Sequence, residues 1–204
     1  MTRFSDQRRK LIIAAIITIM PILTGCVSAV IGAGAVTTAA AVQERGLKAG
    51  FDDTVIHARI TALWLGRDAN IYRLVSLTIV EGRVLLTGEV RLPKMRIEAV
   101  RLTWLAPGVR EVINEIKVTD ESSIITYARD SWISTQLKTK LLFDKNVLSI
   151  NYTIETVNGA VYLMGIAQDQ NELDRVTNHA RTLSYVKRVV NYVLLKSDPK
   201  RLKS

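Results

Sequence analysis

Apolar residues along this chain change their spacing several times, and the sequence of changes occurs twice. Ile56, Ile60 and Trp64 recur every fourth residue, one face of a helix at ~100° per residue. A β-rich run over 74–80 follows, then Glu81-Gly82, then Val84-Leu85-Leu86 and Gly88. A second helical stretch over 93–105 and a branched run over 109–118 complete the unit. The second half repeats this grammar: Ile133, Leu137 and Leu141, a run at 150–157, Asn158-Gly159, Val161-Tyr162-Leu163 and Gly165. A helix over 169–183 and a strand over 186–195 then follow. At an offset of 77 residues, 53–118 aligns with 130–195 over 66 positions without a gap. A repeat this long is a small domain, not one turn of a solenoid.

Each unit therefore reads α-β-β-α-β. Asp53 and Asp130 are expected to cap the first helices, offering a carboxylate to the first free N–H groups. Asn158-Gly159 is a strong type I′ hairpin signal, because both central residues need positive φ. Gly88 and Gly165 are expected to mark a bulge or a strand end, and Pro93 suits a first helical turn. Three strands enclose a core only if both helices cover one sheet face, which predicts an α+β sandwich. The connecting segment 120–128 contains no glycine or proline, so free tumbling of the two units is not expected.

The first residues follow different rules. Arg3, Arg8, Arg9 and Lys10 precede an apolar run over 11–20, then Leu23-Thr24-Gly25-Cys26. A basic head, a short apolar stretch and small residues before a processing point describe an export leader over 1–25. The chain's single cysteine sits where a lipoprotein's lipidated residue would stand, and 26–50 reads as a small-residue tether. The uncharged stretch 11–36 is also long enough to remain as a membrane anchor, which needs ~20 apolar residues.

Charge and chemistry narrow the function further. The formal charge is +9, falling to +6 without the leader. The regions 51–119, 129–196 and the tail 197–204 carry +2, +3 and +2. That even spread is unlike the concentrated basic stripe of a nucleic-acid-binding protein. The tail is expected to be a solvated charge run or a headgroup contact. One cysteine forms no internal disulfide. His57 and His179 occupy non-equivalent places in the repeat and read as structural or solvated. The sequence contains no phosphate-cradling loop and no nucleophile elbow. It points to no enzyme, metal, cofactor or small-molecule substrate.

One helix surface is unusual. With Ile133, Leu137 and Leu141 turned inward, the opposite arc of the second unit's first helix holds Trp132, Thr135, Gln136, Lys138, Thr139, Leu142 and Phe143, with Lys140 at its border. Aromatic rings at a polar boundary beside lysines suit a membrane interface. The same pattern also suits packing on protein, with the lysines solvated. The matching first-unit positions, Val55, Ala58, Thr61, Ala62 and Leu65, are small and uncharged and suit packing against protein.

The hairpin Gly82-x-Val84-x-Leu86-x-Gly88 and the later Gly108-Val109-x-x-Val112-x-Asn114-x-Ile116-x-Val118 resemble the signature of the BON domain. The second unit keeps Gly159, Val161, Leu163, Gly165, Val186, Val189 and Asn191, with Tyr185 at the turn glycine. A lipidation motif followed by two such domains, 51–119 and 129–196, is similar to the dual-BON outer-membrane lipoproteins. The resemblance implies two tandem α+β domains, each with a three-stranded mixed sheet covered on one face by two helices. It implies lipidation at Cys26, an outer-membrane location facing the periplasm, and a non-enzymatic role in envelope integrity. It further implies anionic, phosphatidylglycerol-like phospholipid binding through the helix bearing Trp132. Docking of envelope assembly proteins on the same surface is the alternative.

Overall fold

The computed structural model of the protein describes residues 46–119 and 124–201. The leader, Cys26 and most of the tether lie outside the described residues. The first domain comprises α1 (Gly46–Arg67), α2 (Ala69–Leu74), β1 (Val75–Val80), β2 (Arg83–Val90), α3 (Pro93–Trp104) and β3 (Glu111–Val118). The second comprises α4 (Ile124–Phe143), a 3₁₀ turn (Ser149–Asn151), β4 (Tyr152–Val157), β5 (Ala160–Ala167), α5 (Gln170–Arg181), β6 (Arg188–Asn191) and β7 (Leu194–Leu195). In both, an antiparallel hairpin is joined by a parallel third strand, giving a mixed sheet with the second strand central. In the second domain that third strand is split into β6 and β7, both parallel to β5. The expected α-β-β-α-β order holds, with the short α2 as an addition capped by the Asp68 carboxylate.

The repeated aspartates do something other than expected. Both α1 and α4 begin upstream of them, so neither Asp53 nor Asp130 is an N-cap. Each is buried and clasps its domain's hairpin turn. Asp53 accepts from the Glu81 and Gly82 N–H groups at 2.9 and 2.8 Å. Asp130 accepts from Asn158 and Gly159 at 2.6 and 2.8 Å. The type I′ geometry, with φ of 53° and 72° in one turn and 54° and 75° in the other, turns these donors toward the helix. Donors held against a packed helix need a protein acceptor.

Gly88 and Gly165 do not end their strands either. A Cβ at Gly88 would stand 2.2 Å from the Leu74 carbonyl oxygen, and one at Gly165 would stand 2.1 Å from that of Asn151. Glycine is required there because the chain entering β1 or β4 passes directly over it.

The two cores follow the predicted helix faces. Ile56, Ile60 and Trp64 pack with Val84, Leu86, Ala99 and Leu102; Ile133, Leu137 and Leu141 pack with Val161, Leu163, Val176 and Ala180. Each such side chain contributes ~1.5–3 kcal/mol on full burial. Trp64 also donates its indole N–H to the Ala99 carbonyl at 3.2 Å.

Strand alternation sends the intervening residues to the other sheet face. There Val80 and Leu85 of the first domain meet Ala160, Tyr162, Met164 and Ile166 of the second in a third core. The sheets thus pack back to back, with α1 and α3 outside one and α4 and α5 outside the other. Arg83 joins the domains, donating to the Tyr192 carbonyl at 3.0 Å while paired with Glu111 at 2.6 Å. The Tyr192 hydroxyl donates to Glu115, and the Asn158 amide to Glu89. The described part of the tail, 197–201, is tied to the first domain: Arg201 pairs with Glu81 at 2.8 Å, with only 12% and 13% of the side chains exposed. Arg110 in turn donates to the Lys200 carbonyl at 2.9 Å.

Candidate functional site

The outward arc of α4 is assembled by ordinary helix geometry. Trp132 and Phe143, eleven residues apart, fall within ~20° of each other around the axis and ~16 Å apart along it. Trp132 is 43% exposed, Leu142 68% and Phe143 78%. Thr135, Lys138, Thr139 and Lys140 are exposed and Gln136 is half-buried. The two threonine hydroxyls are satisfied within the helix, Thr135 donating to the Ser131 carbonyl at 2.8 Å and Thr139 to that of Thr135 at 2.9 Å. With both hydroxyl protons engaged, the stripe between the aromatic ends has a lower desolvation cost than its composition suggests.

A residue from another element completes the surface. Tyr185, 63% exposed, meets Trp132 edge to face with centroids 6.0 Å apart and planes at 76°. The Arg129 guanidinium lies 5.1 Å from the Tyr185 ring centre. Tyr185 stands at φ 68°, in the turn where the first domain has Gly108 at φ 98°. A non-glycine residue there stores roughly 1 kcal/mol or more of strain. An aromatic pair returns ~0.5–1.5 kcal/mol and the cation–π contact somewhat less. In the sequence, Tyr185 stands out only as a departure at the turn glycine. A bulky aromatic where the backbone favours glycine was the available signal.

The two lysines serve different sides. Lys138 lies on the flank facing the first domain, in a groove of about 630 Å³ also lined by Tyr72, Ser76 and Glu155. Burial pushes the Glu155 carboxyl above its ordinary range, opposed by the nearby Lys138 charge and a hydrogen bond with Ser76. Part of the Lys138 field is therefore spent on Glu155. Among the described residues, none pairs with Lys140 in the same way.

At its end, α4 is fixed by Asp144, which meets His179 Nε2 at 2.7 Å and Arg175 at 3.5 Å. The His179 hydrogen bond, with one from the Asn146 N–H, holds the Asp144 carboxyl below its usual range. His179 is thus structural, as expected. Beyond it in the chain, Leu148 and Ile150 are also exposed.

Among the described residues, no group of three or more His, Cys, Asp or Glu is arranged to hold a metal. No helix among them is long and apolar enough to cross a membrane.

The BON domain signature matches residues 52–120 and again 129–197. The chain is 33% identical to the Outer membrane lipoprotein DolP of Haemophilus influenzae, over 82% of this chain and 87% of that protein. It is 32% identical to the Osmotically-inducible protein Y of Escherichia coli, over 69% and 71% respectively. An uncharacterized protein from the gshII 5' region of Anaplasma centrale is 44% identical over 64% of this chain and 87% of its own length. With two matched copies spanning both folded units, the chain belongs to the BON-domain family, as a tandem, two-domain member similar to an outer membrane lipoprotein.

Proposed function

We propose that this protein is a non-enzymatic envelope lipoprotein that lays the outer face of α4 on anionic phospholipid and thereby supports outer-membrane integrity. The observation that carries the reading is the continuous exposed surface from Tyr185 and Trp132, through Thr135 and Thr139, to Leu142 and Phe143. Rings at its ends enter the headgroup zone, and Arg129 and Lys140 meet the phosphates, at ~1 kcal/mol per cation near an anionic surface. The likeness to a protein named an outer membrane lipoprotein supports the envelope setting.

Cys26 is the proposed lipidation site and 1–25 the leader, with the protein facing the periplasm. A multiply acylated cysteine gives stable attachment, at ~0.8 kcal/mol per buried methylene. Anchor and helix then act on one membrane, the first raising the effective concentration of the second. Selective binding to phosphatidylglycerol vesicles over phosphatidylcholine vesicles, weakened about tenfold or more by Trp132→Glu, is the expected result. Equal binding by the wild type and Trp132→Glu would reject the assignment, and retention of an envelope protein by the same face without lipid would replace it with docking.

A further inference from the structure

The first domain carries its own aromatic, cationic helix face, which the function above leaves unused. On α3, Ile97 and Trp104 are 63% and 50% exposed, and lie within ~20° of each other around the axis. Leu105 and Leu92 extend the apolar surface at either end. Arg91, Lys94 and Arg96 surround it, all exposed. The helix has one acid, Glu98, and it is occupied: Arg67 stands at 3.1 Å and Arg101 at 2.8 Å. The Arg101 hydrogen bond foremost holds that carboxyl down at about 2. The face therefore presents apolar groups ringed by cations.

The fold does not require this surface. In α5, the corresponding element of the second domain, the positions of Ile97, Trp104 and Leu105 hold Asp174, Arg181 and Thr182. Each domain has thus one outer helix of interfacial character, and it is a different helix in each. Because the sheets pack back to back through Leu85, Tyr162, Met164 and Ile166, α3 and α4 occupy opposite outer layers.

We propose that the α3 face is a second contact for anionic bilayer, directed away from the first, so that one molecule bridges two bilayer surfaces. Charge complementarity selects the occupant: cations flank a tryptophan and aliphatic side chains, as on α4, and the one acid is internally paired. The bridging rests on the α4 reading, whereas the α3 contact stands without it.

The chain's three tryptophans make the test direct, since Trp64 is buried and shielded while Trp104 and Trp132 are exposed. The full chain is incorporated into phosphatidylcholine vesicles, and a second population containing phosphatidylglycerol with brominated acyl chains is added. In Trp132→Phe the remaining exposed emission comes from Trp104. It is expected to be quenched by the brominated phosphatidylglycerol vesicles and not by brominated phosphatidylcholine ones. In vesicle mixtures that both contain phosphatidylglycerol, the wild type is expected to raise light scattering. Ile97→Glu with Leu105→Glu is expected to reduce this clustering about tenfold while Trp132 quenching persists.

Quenching of Trp132 without quenching of Trp104 would overturn this proposal and leave the α4 reading intact. Quenching of Trp104 alone would support the α3 contact and reject both the bridge and the α4 reading. Shielding of Trp104 from a water-soluble quencher by an acidic envelope protein, with no response to lipid, would overturn the lipid assignment at α3.

Discussion

The two domains share an internal frame and differ in what their outer helices expose. Both use a buried aspartate to clasp a hairpin, a glycine under the incoming strand, and an i, i+4, i+8 stripe of large apolar residues. On the first helix, however, the position of Trp132 in the second domain is Val55 in the first, and the position of Phe143 is Gly66. On the later helix the contrast reverses, with Trp104 opposite Arg181. Residues that orient a buried hydrogen-bonding group are held by the fold, whereas exposed positions cost little to change. The exposed surface of this repeat has therefore diverged on the outer layers, one helix at a time.

The shared frame can be broken symmetrically. Asp53→Ala and Asp130→Ala each leave two turn N–H groups without their acceptor, which is expected to cost about 3 kcal/mol in either domain. Urea unfolding of the two variants should shift by similar amounts, and a large asymmetry would show that the clasps are not equivalent.

The surfaces should break asymmetrically. Trp132→Glu is expected to lower phosphatidylglycerol affinity by about tenfold or more, by removing an interfacial ring and adding a repelled charge. Val55→Glu, its counterpart, should leave binding unchanged in the same vesicle assay. Tyr185→Gly comes next. It relieves a positive φ and removes the Trp132 contact, so stability should move by less than about 1 kcal/mol while lipid affinity falls severalfold. The reciprocal Gly108→Tyr should be markedly worse for stability, because its Cβ would stand 2.9 Å from Ile56 Cδ1.

The smallest effect is in pH. Asp144 has a lowered pKa, so its contribution is present above the ordinary carboxylate range and is lost as pH falls through its depressed value. Glu155 has a raised pKa, so its contribution is present in acid and lost as pH rises through its elevated value. Acid is thus expected to loosen the end of α4 in the second domain while favouring the groove between the domains. His179→Ala should flatten the first trend without touching the second, as read by amide shifts against pH.

Much of this organisation was legible because periodicity is a one-dimensional record of burial. The stripe Ile133, Leu137, Leu141 and the outward position of Phe143 follow from 3.6 residues per turn alone. The role of Asp130 was not legible, since an aspartate near a helix start reads as a cap until the helix is seen to begin at Ile124. Its actual partners lie 28 and 29 residues away, beyond any local pattern. Tyr185 was hidden for the same reason, being 53 positions from the ring it meets. The back-to-back sheets left a trace in the continuous burial of β5, from Ala160 to Ala167, because a strand covered on both faces loses its alternation. Lys138 illustrates a further limit: its helix angle was correct, but its neighbour Glu155 belongs to another strand.

The central claim, that α4 is the lipid-facing element, is tested most directly by amide chemical-shift mapping of residues 27–204 with phosphatidylglycerol micelles. Perturbations are expected along 129–143 and at Tyr185, and should vanish from that stretch in Trp132→Glu. Perturbations absent from α4, or unchanged by that substitution, would contradict the account.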